Sequence, residues 1–143
     1  MKSYQIILSI NSVIIFLVSM IHFYWGLGGQ WGVKAVIPTK RNATKAFDPP
    51  QLLTFLVAFA FLIMSLVLFV FQSNWTDGIF QKVLKYLSYA IGVVFFARSI
   101  GDFKFFGFFR KYKNTLFSYW DSRLYTPLTF IVGMSIILGI WFR

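Results

Sequence analysis

The stretch QLLTFLVAFAFLIMSLVLFVF, residues 51–71, holds no ionisable side chain, no glycine and no proline. A helix rises about 1.5 Å per residue, so this stretch spans about 30 Å, the thickness of a bilayer's hydrocarbon core. Apolar residues surround the whole circumference rather than one stripe, so no aqueous face is left and lipid is the fitting solvent. Directly upstream, Asp48-Pro49-Pro50 is a helix start, with Asp suited to the cap and Pro to the first turn. Directly downstream, residues 72–78 read as a short turn.

Three further apolar stretches extend this pattern outward. Tyr4 to Trp25 is interrupted only by Ser, Asn, Gln and one His, and residues 79–100 and 122–141 are comparably apolar. The expected fold is all-α, a polytopic membrane protein forming one transmembrane domain over 1–143, with helices at about 4–25, 51–71, 79–100 and 122–141. The composition agrees: 58% of the 143 residues are hydrophobic, 13% are charged, and the mean hydropathy is +0.70. A signal peptide would end in small residues at a cleavage site, whereas the first stretch ends His22-Phe23-Tyr24-Trp25, so it is expected to be retained. Pro127 has two readings, in the early turns of the fourth helix or as its first residue after a Thr126 cap.

The absence of cysteine excludes disulfide frameworks, thiolate metal sites and the thiol relay of quinone-linked disulfide-forming enzymes. Fourteen Lys and Arg oppose four acidic residues, for a net charge of +10. Between apolar spans that excess points to membrane lipids with anionic headgroups as partners, and not to nucleic acid. Lys34, Lys40, Arg41 and Lys45 lie in the first connection, and Lys104, Arg110, Lys111 and Lys113 in the third. Lys2, Lys82, Lys85 and Arg143 lie toward the other side. The richer side is expected in the cytoplasm, with both termini outside and the loops 26–50 and 101–121 inside. The third connection also carries Phe103, Phe105, Phe106, Phe108 and Phe109, a composition suited to the headgroup layer.

Helical periodicity gives the spans faces. At about 100° per residue, Gln5, Asn11, Ser12, Ser19 and His22 share one side of the first helix. Gln51, Thr54, Ala58 and Ser65 share one side of the second, and Thr126, Thr129 and Gly133 one side of the fourth. Small and hydroxylated residues let membrane helices approach closely.

Most ionisable side chains near span ends fall on the side of the two basic loops. His22 ends the first helix, Arg98 and Asp102 end the third, and Asp121 and Arg123 precede the fourth. These ends are expected to gather in one polar layer, and ionisable residues at membrane depth are functional candidates. His22, Asp102 and Asp121 are the groups available for acid–base work. Arg98 and Asp102 share a helix face, but Arg before Asp is the weaker order, which leaves two readings: a structural ion pair with Arg98 reaching the interface, or Asp102 pairing across the bundle with His22 or Arg123. Asp121 is equally suited to capping the fourth helix. Arg98 then faces an anionic group, while Tyr24, Trp25 and Trp31 pack against an apolar one. The ligand-binding set is therefore His22, Tyr24, Trp25, Trp31, Arg98, Asp102, Asp121 and Arg123. No ligand spacing supports a metal, and Gly26-x-Gly28-Gly29 lacks the preceding strand a dinucleotide site needs, so no cofactor is expected.

Three motifs, His22-x-Tyr24-Trp25-x-x-Gly28-Gly29, Arg98-x-x-Gly101-Asp102-Phe103 and Asp121-x-x-x-Tyr125-x-Pro127-Leu128, resemble those of a family of small four-helix bacterial inner-membrane proteins catalogued as a domain of unknown function. The resemblance covers nearly the whole chain and implies a location in a bacterial inner membrane. It implies no activity. The expected function is binding of an anionic or amphipathic, lipid-like ligand in a polar pocket at the cytoplasmic edge. A membrane accessory, immunity or interaction subunit docking on a protein partner, or a homo-oligomer, is the alternative. A small transporter is disfavoured because no carboxylate lies mid-span, where coupling ions bind.

Overall fold

The computed structural model of the chain describes residues 2–38, 49–111 and 113–143. Its elements are α1 (Ser3–Gly26), the single turn α2 (Val33–Val36), α3 (Gln51–Ser73), α4 (Gly78–Ile100), α5 (Leu116–Trp120), a π-helical turn (Asp121–Tyr125) and α6 (Thr126–Trp141). Helices α1, α3, α4 and the continuous run Leu116–Trp141 are each long and apolar enough to cross a bilayer. In the most apolar part of each, no more than 33% of residues are buried inside the protein. The remainder meets hydrocarbon, and the chain is a multi-pass integral membrane protein folded as a four-helix bundle.

The helices pack as two hairpin pairs, α1 with α3 and α4 with α6, joined by contacts of α1 with α6 and of α3 with α4. Apolar burial does not drive association in lipid, so hydrogen bonds and close packing carry these contacts. The polar side of α1 faces α3. Ser12 Oγ donates to the Ser65 carbonyl at 2.9 Å, Ser65 Oγ returns the bond to the Ser12 carbonyl at 2.9 Å, and Ser19 Oγ reaches the Ala58 carbonyl at 2.8 Å. Asn11 turns to α6, where its Nδ2 donates to Ser135 Oγ at 2.9 Å. Between α4 and α6 the approach is backbone to backbone: a Cβ on Gly133 would lie 2.6 Å from the Phe96 nitrogen and 2.8 Å from the Gly92 oxygen. The side of α6 carrying Thr126 and Gly133 is thus packed inside the chain. Leu8, Ile15, Leu68, Phe71, Ile91, Phe95 and Ile136 fill the core between the two pairs.

Helix boundaries follow local chemistry. Asp48, expected to cap α3, lies outside the described residues; Pro50 precedes α3 in an extended conformation, and its carbonyl accepts from the Thr54 N–H at 3.2 Å. The fourth span starts at Leu116, earlier than the expected 122, because Thr115 caps it: Thr115 Oγ1 accepts from the Ser118 N–H at 3.0 Å, and Ser118 Oγ reciprocates at the Thr115 N–H. Asp121 therefore sits inside the helix and is not its cap. Pro127 is also inside. In a regular α-helix its ring would press on the Arg123 carbonyl, and the wider π turn, in which the Thr126 N–H bonds the Asp121 carbonyl, relieves that conflict.

Contacts between α2 and α5 place the first and third connections on one face of the bundle, called here the loop face. The opposite, terminal face gathers Asn74 and Arg143, whose guanidinium donates to Asn74 Oδ1 and lies 4.2 Å from the Phe71 ring centroid.

Candidate functional site

The loop between α4 and α5 is shaped first by glycine. Gly101 and Gly107 both have positive φ, at 92° and 89°, and their backbones touch: a Cβ on Gly107 would lie 2.4 Å from the Gly101 Cα. The Phe108 N–H then bonds the Ser99 carbonyl at 3.0 Å, folding the loop back over the end of α4. This path carries the Gly107 N–H and the Arg110 side chain to the first turn after α5, where Asp121 lies with 0% of its side chain exposed.

Four donors converge on that carboxylate. Arg98 Nη2 meets Oδ1 at 2.8 Å, while Oδ2 accepts from Arg110 Nη1 at 2.8 Å, the Gly107 N–H at 2.9 Å and Thr126 Oγ1 at 3.0 Å. Arg110 also donates to the Gly107 carbonyl and to Ser122 Oγ. Arg98 stacks on the Phe106 ring, 4.3 Å from its centroid. A buried carboxylate is stable only when paired and fully hydrogen-bonded, and Asp121 is. The surplus lies with the cations: among the described residues two guanidiniums share one negative charge, and Arg98 Nη1 and Arg110 Nε are buried without an acceptor.

A second arrangement lies at the loop-face ends of α1 and α3. An open cleft of about 390 Å³ lies between α1, α3 and the segment through α2, lined by His22, Trp25, Val33, Val36, Leu53 and Val57 among others. Pro38 and Pro49 lie on its wall, at the two ends of the segment outside the described residues. His22 Nδ1 lies 2.8 Å from the Val18 carbonyl. A carbonyl only accepts, so Nδ1 carries the proton and Nε2 of the neutral ring is an acceptor. The ring packs against Trp25 and Phe61, with centroids 5.0 and 5.1 Å away.

The other expected residues have local structural partners. Trp25 Nε1 donates to the Trp31 carbonyl at 2.8 Å and the Trp31 N–H reaches Tyr24 Oη at 3.3 Å, so Tyr24 and Trp25 pin the turn after α1. Gly29 lets the Tyr24 ring lie over the turn, since a Cβ would come 2.3 Å from that ring and displace it. Asp102 does not pair across the bundle. Its Oδ1 accepts from the backbone N–H of Lys104, Phe105 and Phe106 at 2.9, 2.7 and 3.1 Å, because the chain turns at Gly101 and folds those groups onto it. Partial desolvation raises the Asp102 carboxyl, and the three N–H bonds more than reverse this, holding its pKa below the usual carboxylate value. Arg123 is exposed, donates to Tyr119 Oη and stacks on that ring at 4.2 Å.

The expected single layer is therefore two arrangements on one face. Arg98 and Asp121 come together, and His22 stands with Trp25 over a separate cavity. Among the described residues no hydrogen bond or ion pair links any two of His22, Asp102 and Asp121. Arg110, Gly107 and Thr126 complete the Asp121 cluster and were not expected there. The signal that could have exposed them is Gly101 and Gly107 bracketing a Phe-rich loop, a spacing suited to closing it.

A family model described as "Protein of unknown function (DUF3995)" matches residues 15–136. No curated protein and no solved structure matches the chain.

Proposed function

The chain belongs to the DUF3995 family of proteins of unknown function, and from that premise we propose that it is a bacterial inner-membrane protein holding an amphipathic, lipid-like molecule at the cytoplasmic edge of the bilayer. The molecule occupies the cavity between α1, α3 and α2. The carrying observation is that cavity itself: about 390 Å³ falls within the range of small-molecule sites, and its wall is mostly apolar. The polar groups on the wall are few. Among the described residues they are His22, whose Nε2 is free to accept a hydrogen bond, with Trp25, Gln30 and Thr54. That pattern suits an apolar body with a hydroxyl or amide donor at one end.

The orientation follows from charge. Lys34, Lys104, Arg110, Lys111 and Lys113 belong to the loop face, which the positive-inside rule assigns to the cytoplasm. The cavity opens at that depth, where acyl chains give way to headgroups.

Native mass spectrometry of the protein purified in non-ionic detergent tests the reading. The wild type is expected to retain a lipid-like molecule near one to one. Val57→Phe, which pushes a ring into the cavity from the α3 wall, is expected to retain several-fold less. His22→Phe, which keeps a ring against Trp25 and Phe61 but removes the acceptor, is expected to retain several-fold less. Equal retention of the same mass by Val57→Phe would remove the proposal.

A further inference from the structure

We propose that Arg98 and Arg110 form a binding site for a phosphate oxyanion at the loop face, independent of the cavity beside His22. Among the described residues the cluster is one negative charge short: Asp121 balances one of two guanidiniums, and each of its oxygens is already engaged by donors. The nearest acid in sequence, Asp102, is exposed and committed to three backbone N–H groups of its own loop. Arg110 has only 10% of its side chain exposed, and its Nε lacks an acceptor; Arg98 Nη1 lacks one too. A phosphate supplies what is missing: a negative charge and several acceptor oxygens that match the fork of a guanidinium. Both arginines grip opposite oxygens of the same carboxylate, which sets the two guanidiniums beside one another at the loop face.

The surroundings set the depth. Phe103, Phe108 and Phe109 of the same loop are 63%, 57% and 65% exposed, and Lys104, Lys111 and Lys113 stand among them. Exposed aromatics between lysines mark the headgroup layer, where lipid phosphates lie. The shared chemistry is a phosphate ester or free phosphate, and the experiment separates the two sources.

The full chain in non-ionic detergent is melted with sodium phosphate against sodium chloride at matched ionic strength, and with mixed micelles containing phosphatidylglycerol against micelles without it. A rise in Tm with phosphatidylglycerol alone supports a lipid headgroup, and a rise with inorganic phosphate supports a free oxyanion. Arg98→Gln is expected to abolish either rise. Arg110→Lys, which keeps the charge beside Asp121 but lacks the Nε donor, is expected to reduce it several-fold. Lys111→Gln, which removes an exposed charge from the same loop, is expected to respond as the wild type does. No rise with either probe, or an undiminished rise in both arginine variants, would overturn the site. Val57→Phe is expected to respond as the wild type does, so loss of the cavity ligand and loss of this site are separately visible.

Discussion

Asp121 is the residue on which the loop face depends, and the physics of one buried charge sets its effect. Asp121→Asn keeps the shape but leaves two guanidiniums opposite a neutral amide. Breaking a buried pair in this way costs about 3–5 kcal/mol, and thermal unfolding in detergent should show a large fall in Tm. Asp102 behaves differently because it is exposed. Its folded pKa is depressed, so it contributes stability that is present above the ordinary carboxylate pKa and lost as pH falls through the folded value. Protection of the Lys104, Phe105 and Phe106 amides, taken relative to their intrinsic exchange rates, is therefore expected to be unchanged from neutral pH to 5 and to fall only below about pH 4. Asp102→Asn should lower this protection at neutral pH and converge with the wild type once the wild-type carboxyl is protonated. The sequence placed Arg98 and Asp121 on one face, but it could not pair them. That pairing depends on a loop path fixed by backbone contact between Gly101 and Gly107, which spacing along the chain does not encode. Arg110 was misplaced for a related reason: among Phe and Lys it reads as a headgroup-facing cation, and only folding of the loop turns it inward.

At the scale of elements, the spans were legible because about 20 apolar residues in lipid have one solution, a helix with all its backbone bonds satisfied. The beginning of the fourth was not. Asp121-Ser122-Arg123 looks like a boundary, since charge normally stops a span, yet here the carboxylate is neutralised inside the helix and the run continues back to Thr115. The α4–α6 contact makes the clearest prediction among elements. Gly133→Ala places a methyl 2.6 Å from the Phe96 nitrogen, and backbone atoms cannot swing away as a side-chain end can. The helices must separate, at a cost of about 1–3 kcal/mol, measurable as a lower Tm or earlier unfolding in mixed micelles. Gly139→Ala should be nearly neutral, because its nearest neighbour is an Ile7 side-chain atom at 3.4 Å.

For the whole molecule, hydrocarbon outside the bundle and hydrogen bonds within it force the polar and charged groups to the ends. The α2–α5 contact and the shared carboxylate of Asp121 make the loop face the better-built end, and both proposed sites lie there. The chain has no native cysteine, so single cysteines report topology without background. Lys34→Cys, Lys111→Cys and Lys82→Cys variants in intact cells, treated with a membrane-impermeant maleimide, test the account most directly. Cysteine at 82 is expected to label from outside, and cysteines at 34 and 111 only after the membrane is permeabilised. Opposite accessibility of 34 and 111 would contradict the shared face, and labelling of both from outside would reverse the cytoplasmic placement of the sites.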